Sequence, residues 1–263
     1  MLSRLSRPQA VAVCALPVVA LLATAVFAPL PFSVAQPGMT ANVLGKNQGT
    51  EVITVSGAPT RNTSGQLRMT TIVATGPDTR VSLRDVIGNW SRTDRAVMPR
   101  DAVYPSGDTV KEIEKHNQEQ MRQSQDAATQ AALKYLDLSA DKVRVQLKLA
   151  DVGGPSAGLL FTLGIIDKLN GDGSGGDLTG GRTIAGTGTI DAAGKVGAVG
   201  GVALKTQAAR RDGATVFLVP KAECSDAKAE LPKGLRLVPV TTLKGAVNSL
   251  VALEKGKDSV PSC

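Results

Sequence analysis

The sequence predicts an α+β protein, on three observations. Residues 51–59 (EVITVSGAP) and 66–76 (QLRMTTIVATG) alternate apolar with polar side chains at period two. Residues 110–136 carry a long helical pattern, and beyond residue 142 strand-like and helix-like stretches follow one another in β-α steps. The 263 residues, 42% hydrophobic and 20% charged, supply core for one or two domains, a balance that excludes both a disordered chain and a polytopic membrane protein.

The first element is apolar. From Ala10 to Ala35 there is no charge, and Arg4 and Arg7 precede the stretch. About 20 apolar residues span a bilayer, whereas a cleavable signal has an apolar run of about 7 to 15, so the length favours a retained single-pass anchor. The arginines then stay inside and the residues from about 38 onward face the outside. The alternative is a long signal cut after Ala35, where Ser33-Val34-Ala35 offers small residues, leaving a secreted protein. Residues 36–50 read as a polar tether, and 51–59 and 66–76 as two strands of a hairpin or small sheet around the turn-like RNTSG.

A short helical stretch (SLRDVIGNW) follows within 81–108. A helix N-terminus at Ser106 to Thr109 then opens the long helix, whose centre is polar and whose end carries an apolar stripe at 128, 132, 135 and 136, so that only its C-terminal half packs. DKVRVQLKLA reads as a strand. The turn Gly153-Gly154-Pro155 leads into a helix that is apolar nearly all round over 159–166 and hence buried, and GDGSGGDLTGG (171–181) reads as an exposed loop. Then come a strand, a turn at Asp191 to Gly194 and a short strand, the helix VALKTQAARRDG, the strand ATVFLVP, a cysteine-bearing segment, the strand LRLVPV and a last helix. Three parts result: 1–37 anchor or signal, 38–141 a β-plus-helix segment, and 142–263 the second α+β unit.

Composition removes several chemistries. With one His, at 116 in the polar part of the long helix, there is no His-cluster metal site, and His116 has no visible triad partners. The net charge of +7 includes Arg4 and Arg7, and the few aromatics are not interleaved with basic residues, which excludes a nucleic-acid partner. Cys14 lies in the apolar span. Cys224 and Cys263 remain, and an oxidising compartment favours their pairing, two free thiols being the other reading.

Two positions carry chemistry. Ser156 stands at a buried helix N-terminus, where backbone N–H groups around Gly154 to Ala157 would stabilise an oxyanion. Lys205 lies on a helix face with Gly201, Ala208, Ala209 and Asp212. Buried there, its amine would lose charge and could activate a serine in place of histidine; by periodicity alone, snorkelling to solvent is the other reading.

GGPSAG (153–158) and GTGTIDAAGKVGAVGGVALKTQAA (186–209) resemble the proteolytic domain of Lon proteases. That resemblance covers about 142–254 and implies a Ser156–Lys205 dyad, with Thr187 orienting the lysine and Gly154, Pro155 and Ala157 forming the oxyanion turn. It implies peptide or unfolded-protein substrates, no cofactor and a possible homo-oligomer. The upstream part is similar to the YlbL-type membrane-anchored Lon-like proteases of Gram-positive bacteria, through the anchor and Ser124-Gln125-Asp126 in the long helix. Two departures stand out: LDLSADKVRVQ leaves no room for the PDZ module common in that branch, and Gly153 replaces an aspartate often found before the serine in ATP-dependent Lon proteins. No Walker A motif occurs in these residues. The resemblance thus implies an ATP-independent serine endopeptidase, with a catalytically silent surface scaffold as the alternative.

Overall fold

The computed structural model describes residues 6–104, 109–149, 154–256 and 260–263. Helix α1 (Arg7–Phe27) is followed by β1 (Phe32–Asn42), the short strands β2 (Lys46–Asn47) and β3 (Thr50–Glu51), β4 (Ile53–Ser56), β5 (Gln66–Ala74), α2 (Leu83–Trp90), β6 (Ala96–Pro99), α3 (Arg100–Val103) and α4 (Val110–Tyr135). Then come β7 (Arg144–Leu147), α5 (Gly158–Leu169), β8 (Thr183–Gly186), β9 (Thr189–Ile190), β10 (Val196–Gly197), α6 (Val202–Arg211), β11 (Val216–Pro220), α7 (Cys224–Ala229), β12 (Arg236–Val240) and α8 (Leu243–Glu254). The mixed α+β class expected from the sequence is the one found.

A six-stranded sheet in the order β12-β11-β8-β5-β1-β6 organises the molecule. β12, β11, β8 and β5 are mutually parallel, while β1 runs antiparallel to both β5 and β6. Strand residues alternate between two cores, as the pleat requires. Val216 and Leu218 join a large apolar cluster with α4, α5 and α8, whereas Phe217 and Val219 join a smaller one with Val202 and Ala209 of α6 and Ala227 of α7. The expected central helix is α5, in which every residue from Gly158 to Asp167 is buried.

Four expectations need correction. Residues 36–50 are not a tether, because β1 occupies the sheet interior with Ala35 and Ser33 fully buried. Pro37 and Gly38 fall at an irregularity in the β1–β5 register, and a Cβ on Gly38 would clash with Thr71 Oγ1. The hairpin is not formed either, since β4 pairs with β7 and β5 with β1 and β8. These pairings carry the sheet across residues 141 and 142, so the strands on either side share one core. The loop 171–181 is exposed only in part, Leu178 and Thr179 being fully buried. Lastly, α4 packs through Met121, Ser124, Ala128, Ala131, Ala132 and Leu133, while Tyr135 faces outward.

Helix ends follow their caps. Thr109 and Glu112 form a reciprocal capping box at α4, and Thr242 accepts the Gly245 N–H at α8. Ser106 lies outside the described residues. Cys224 and Cys263 are joined in a disulfide packed on the smaller cluster, tying the C-terminal tail to the start of α7, and Cys14 is free. Helix α1 packs no part of its apolar window into the fold; its length and composition fit a membrane span and equally a signal sequence.

Candidate active site

Strand β8 sits in the middle of the sheet, and its C-terminal end is where the helices of the two faces meet. In open sheets of parallel strands the crevice beyond the carboxyl ends is the usual ligand site. Thr187, the residue after β8, is fully buried there, and its N–H donates to Leu218 O (3.1 Å), continuing the ladder to β11. From one face the turn Pro155–Ala157 delivers Ser156 at the start of α5, and from the other α6 delivers Lys205.

The serine turn is shaped by backbone conformation and held by α4. Gly154 has φ +89° and ψ 162°, a region essentially restricted to glycine, and no heavy atom stands within 4 Å of where a Cβ would be. Its N–H donates to Asn117 O (3.2 Å), and Ser124 Oγ donates to Pro155 O (3.0 Å), so two residues of α4 clamp the turn. The Ser156 carbonyl accepts from Gly188 N–H (3.0 Å) and from Thr187 Oγ1 (3.3 Å). Ser156 itself is half-buried, while Ala157 behind it is fully buried.

These bonds correct the oxyanion assignment in part. The Gly154 N–H is already committed to Asn117, and proline has none to give, so Gly154 and Pro155 shape the turn rather than supply donors. Gly153 lies outside the described residues.

Lys205 is only 4% exposed, which decides between burial and snorkelling. Its Nζ donates to Thr187 Oγ1 (3.3 Å), so one hydroxyl links the amine to the Ser156 backbone. A direct Ser156–Lys205 hydrogen bond is not present among the described residues. Burial lowers the amine to about 8, against the opposite pull of the Glu223 carboxylate. Glu223, missed in the sequence because it is distant from both motifs, accepts the Val199 N–H (2.7 Å) and so fastens the loop before α6. Its own pKa is raised by burial, with the Val199 N–H and the lysine pulling it back.

Nothing in the sequence pointed to Asn117 either, which clamps through its backbone carbonyl, and Ser124 entered only as part of a motif, the polar centre of α4 being its available signal. His116, the neighbour of Asn117, is half-buried and has no place in this hydrogen-bonded set. No cluster of three metal-ligating residues occurs among the described residues.

Residues 107–252, more than half of the chain, match the model of the Lon protease (S16) C-terminal proteolytic domain. The chain belongs to this family. Two relatives agree. Lon protease 1 of Myxococcus xanthus is 28% identical over 148 residues, 50% of this chain and 17% of the relative, and the Lon protease of Chloroflexus aggregans (strain MD-66 / DSM 9485) is 37% identical over 93 residues, 34% of this chain and 10% of the relative. The chain thus spans a small part of either relative. The Lon match begins at 107, well before residue 142, so the family unit takes in helix α4 with its clamp on the serine turn.

Proposed function

We propose that the chain is a membrane-anchored, ATP-independent serine endopeptidase that uses Ser156 and Lys205 to cleave unfolded or extended polypeptides outside the cytoplasm. The observation that carries the reading is the buried, hydrogen-bonded chain from Lys205 Nζ through Thr187 Oγ1 to the Ser156 carbonyl, with the amine at about 8. A lysine near that value is neutral often enough to accept a proton at mildly alkaline pH.

Neutral Lys205 takes the Ser156 proton as Oγ attacks the scissile carbonyl, the direct contact forming with substrate in place, as such pairs commonly do. Backbone N–H groups of Ser156 and Ala157 face the developing oxyanion. The Lys205 ammonium then protonates the leaving amine, and water, deprotonated by the same amine, releases the acyl group from Ser156. Thr187 holds the amine through these steps. The proposed reaction takes chains that are already extended as substrate, and ATP independence is part of the proposal.

Retention of α1 as an anchor is supported by β1. Cleavage after Ala35 would sever the strand where Ala35 pairs with Ala74 and strip away Phe32 to Val34, which pair with Pro99, Met98 and Val97. A second reading, a silent Lon-type scaffold that binds peptides at the cell surface, draws on the missing direct Ser156–Lys205 hydrogen bond. Hydrolysis of casein by the full chain and by Ser156→Ala separates the two. The protease reading expects activity in the first and none in the second at unchanged thermal stability, and equal activity in both contradicts it.

A further inference from the structure

The geometry points to α2 as a second membrane contact, lying in the plane of the outer membrane–water interface with Ile87 and Trp90 turned to lipid and the half-buried Leu83 and Val86 at the edge of the same face. This rests on reading α1 as a retained anchor. The four residues follow i, i+3, i+4, i+7 spacing and share one helix face. No residue of α2 is buried, and Ile87 and Trp90, 65% and 76% exposed, are the most exposed large apolar side chains among the described residues outside α1.

The placement of α2 supplies the occupant. Helix α1 comes close to it, and the chain leaving α1 is pinned beside it: the Leu30 N–H donates to Val81 O (2.8 Å), and Arg100 N–H donates to Pro31 O (2.9 Å). Ser82, the N-cap of α2, follows Val81 directly. The 21 residues of α1 rise about 31 Å at about 1.5 Å each, close to the roughly 30 Å hydrocarbon thickness of a bilayer. With Arg7 at the inner boundary, Phe27 therefore ends at the outer one, and the Leu30–Val81 bridge stands just beyond it. The eight residues of α2, about 12 Å long, are too short to cross but suited to lie flat. Trp90 is then at the depth where an amphipathic ring is favoured, and the exposed Arg80 and Arg84 are placed to meet lipid phosphates.

Trp90 is the only tryptophan of the chain, so its fluorescence reports this position alone. The experiment reconstitutes the full chain in vesicles of phosphatidylcholine and phosphatidylglycerol, with and without acyl chains brominated near the headgroup or near the methyl end. The expected result is flotation with the vesicles, blue-shifted emission, weak quenching by aqueous iodide, and loss of most emission with the shallow bromines but less with the deep ones. Ile87→Asp should still float while its emission shifts red and becomes open to iodide. A chain that floats but is quenched by iodide and not by bromolipid overturns the inference and leaves the anchor standing. Protection from iodide without bromolipid quenching also overturns it, since the face is then covered by protein, whether a second copy or a partner. A chain that does not float overturns the anchor reading and this inference together.

Discussion

The two faces of the sheet hold their shares of the candidate site by different means. On the face of the large cluster, Ser156 begins a helix buried all round, and its turn is fixed by Gly154 and by backbone-directed hydrogen bonds from α4. On the smaller cluster, Lys205 is a cation forced into the interior, answered by one hydroxyl and a half-buried carboxylate, and the neighbouring elements are stapled by a disulfide. Positioning is done where packing is plentiful, and tuning where a charge is left short of solvent. In the proposed mechanism the first would give the nucleophile its direction, and the second would leave the lysine unprotonated near neutral pH.

The comparison can be broken most forcefully at the lysine. Lys205→Met keeps the length and apolar stem while removing the amine, so casein hydrolysis should fall by about 10²- to 10⁴-fold. Melting temperature should hold or rise, because an apolar group replaces a buried charge. A large loss of stability in that variant would mean that the amine is structural.

The disulfide should matter more to the small cluster than any single contact there. By the chain-entropy account, a bridge closing 39 residues contributes about 4 kcal/mol, so paired Cys224→Ser and Cys263→Ser changes should lower stability by roughly that amount in denaturant titration. Activity in the cold should persist.

Stability against pH sharpens the comparison further. Below pH about 8 the folded chain carries a protonated, desolvated amine, and between about 8 and 10.5 the unfolded chain holds that proton while the folded chain does not. Stability from this group therefore rises with pH across that window, by on the order of 3 kcal/mol, and the rise should vanish in Lys205→Met. The buried carboxyl of Asp167 on α5, raised to about 6 by burial, acts oppositely: its contribution is full below 3.8 and is lost as pH climbs through 6. The two windows do not overlap, so unfolding curves at several pH values resolve them.

Smaller effects follow from the groups around the amine. Thr187→Val removes the hydroxyl between Lys205 and Ser156 and should cost about 1–2 kcal/mol in kcat/KM, with Thr187→Ser recovering most of it. Glu223→Gln keeps an acceptor for the Val199 N–H but removes the charge that raises the lysine. The alkaline midpoint of the pH–rate profile should then move below about 8, by less than one unit.

The same contrast explains what the sequence made legible. Helix α5 was plain because a nearly all-apolar stretch over 159–166 after a glycine-proline turn leaves few alternatives, and the β-α steps after 142 followed from period and turns. Lys205 was placed on the right helix, but periodicity could not say whether it was buried, since a lysine stem suits an apolar face in either case. Strand β1 was hidden by Pro37 and Gly38, which the strand absorbs in a bulge at Gly38 and Met39 opposite Thr71. The partners of β4 and β5 were hidden because pairing with β7 and β8 joins residues about 90 to 120 positions apart, which alternation cannot encode. Asn117, Ser124 and Glu223 reach the site only through such long-range packing.

The central claim is that Lys205 activates Ser156, and serine-directed fluorophosphonate labelling with peptide mapping tests it most directly. The label should fall on Ser156, at a rate that rises as pH passes through about 8, and should disappear in Lys205→Met. Labelling of another residue, or undiminished labelling of Ser156 in Lys205→Met, would contradict it.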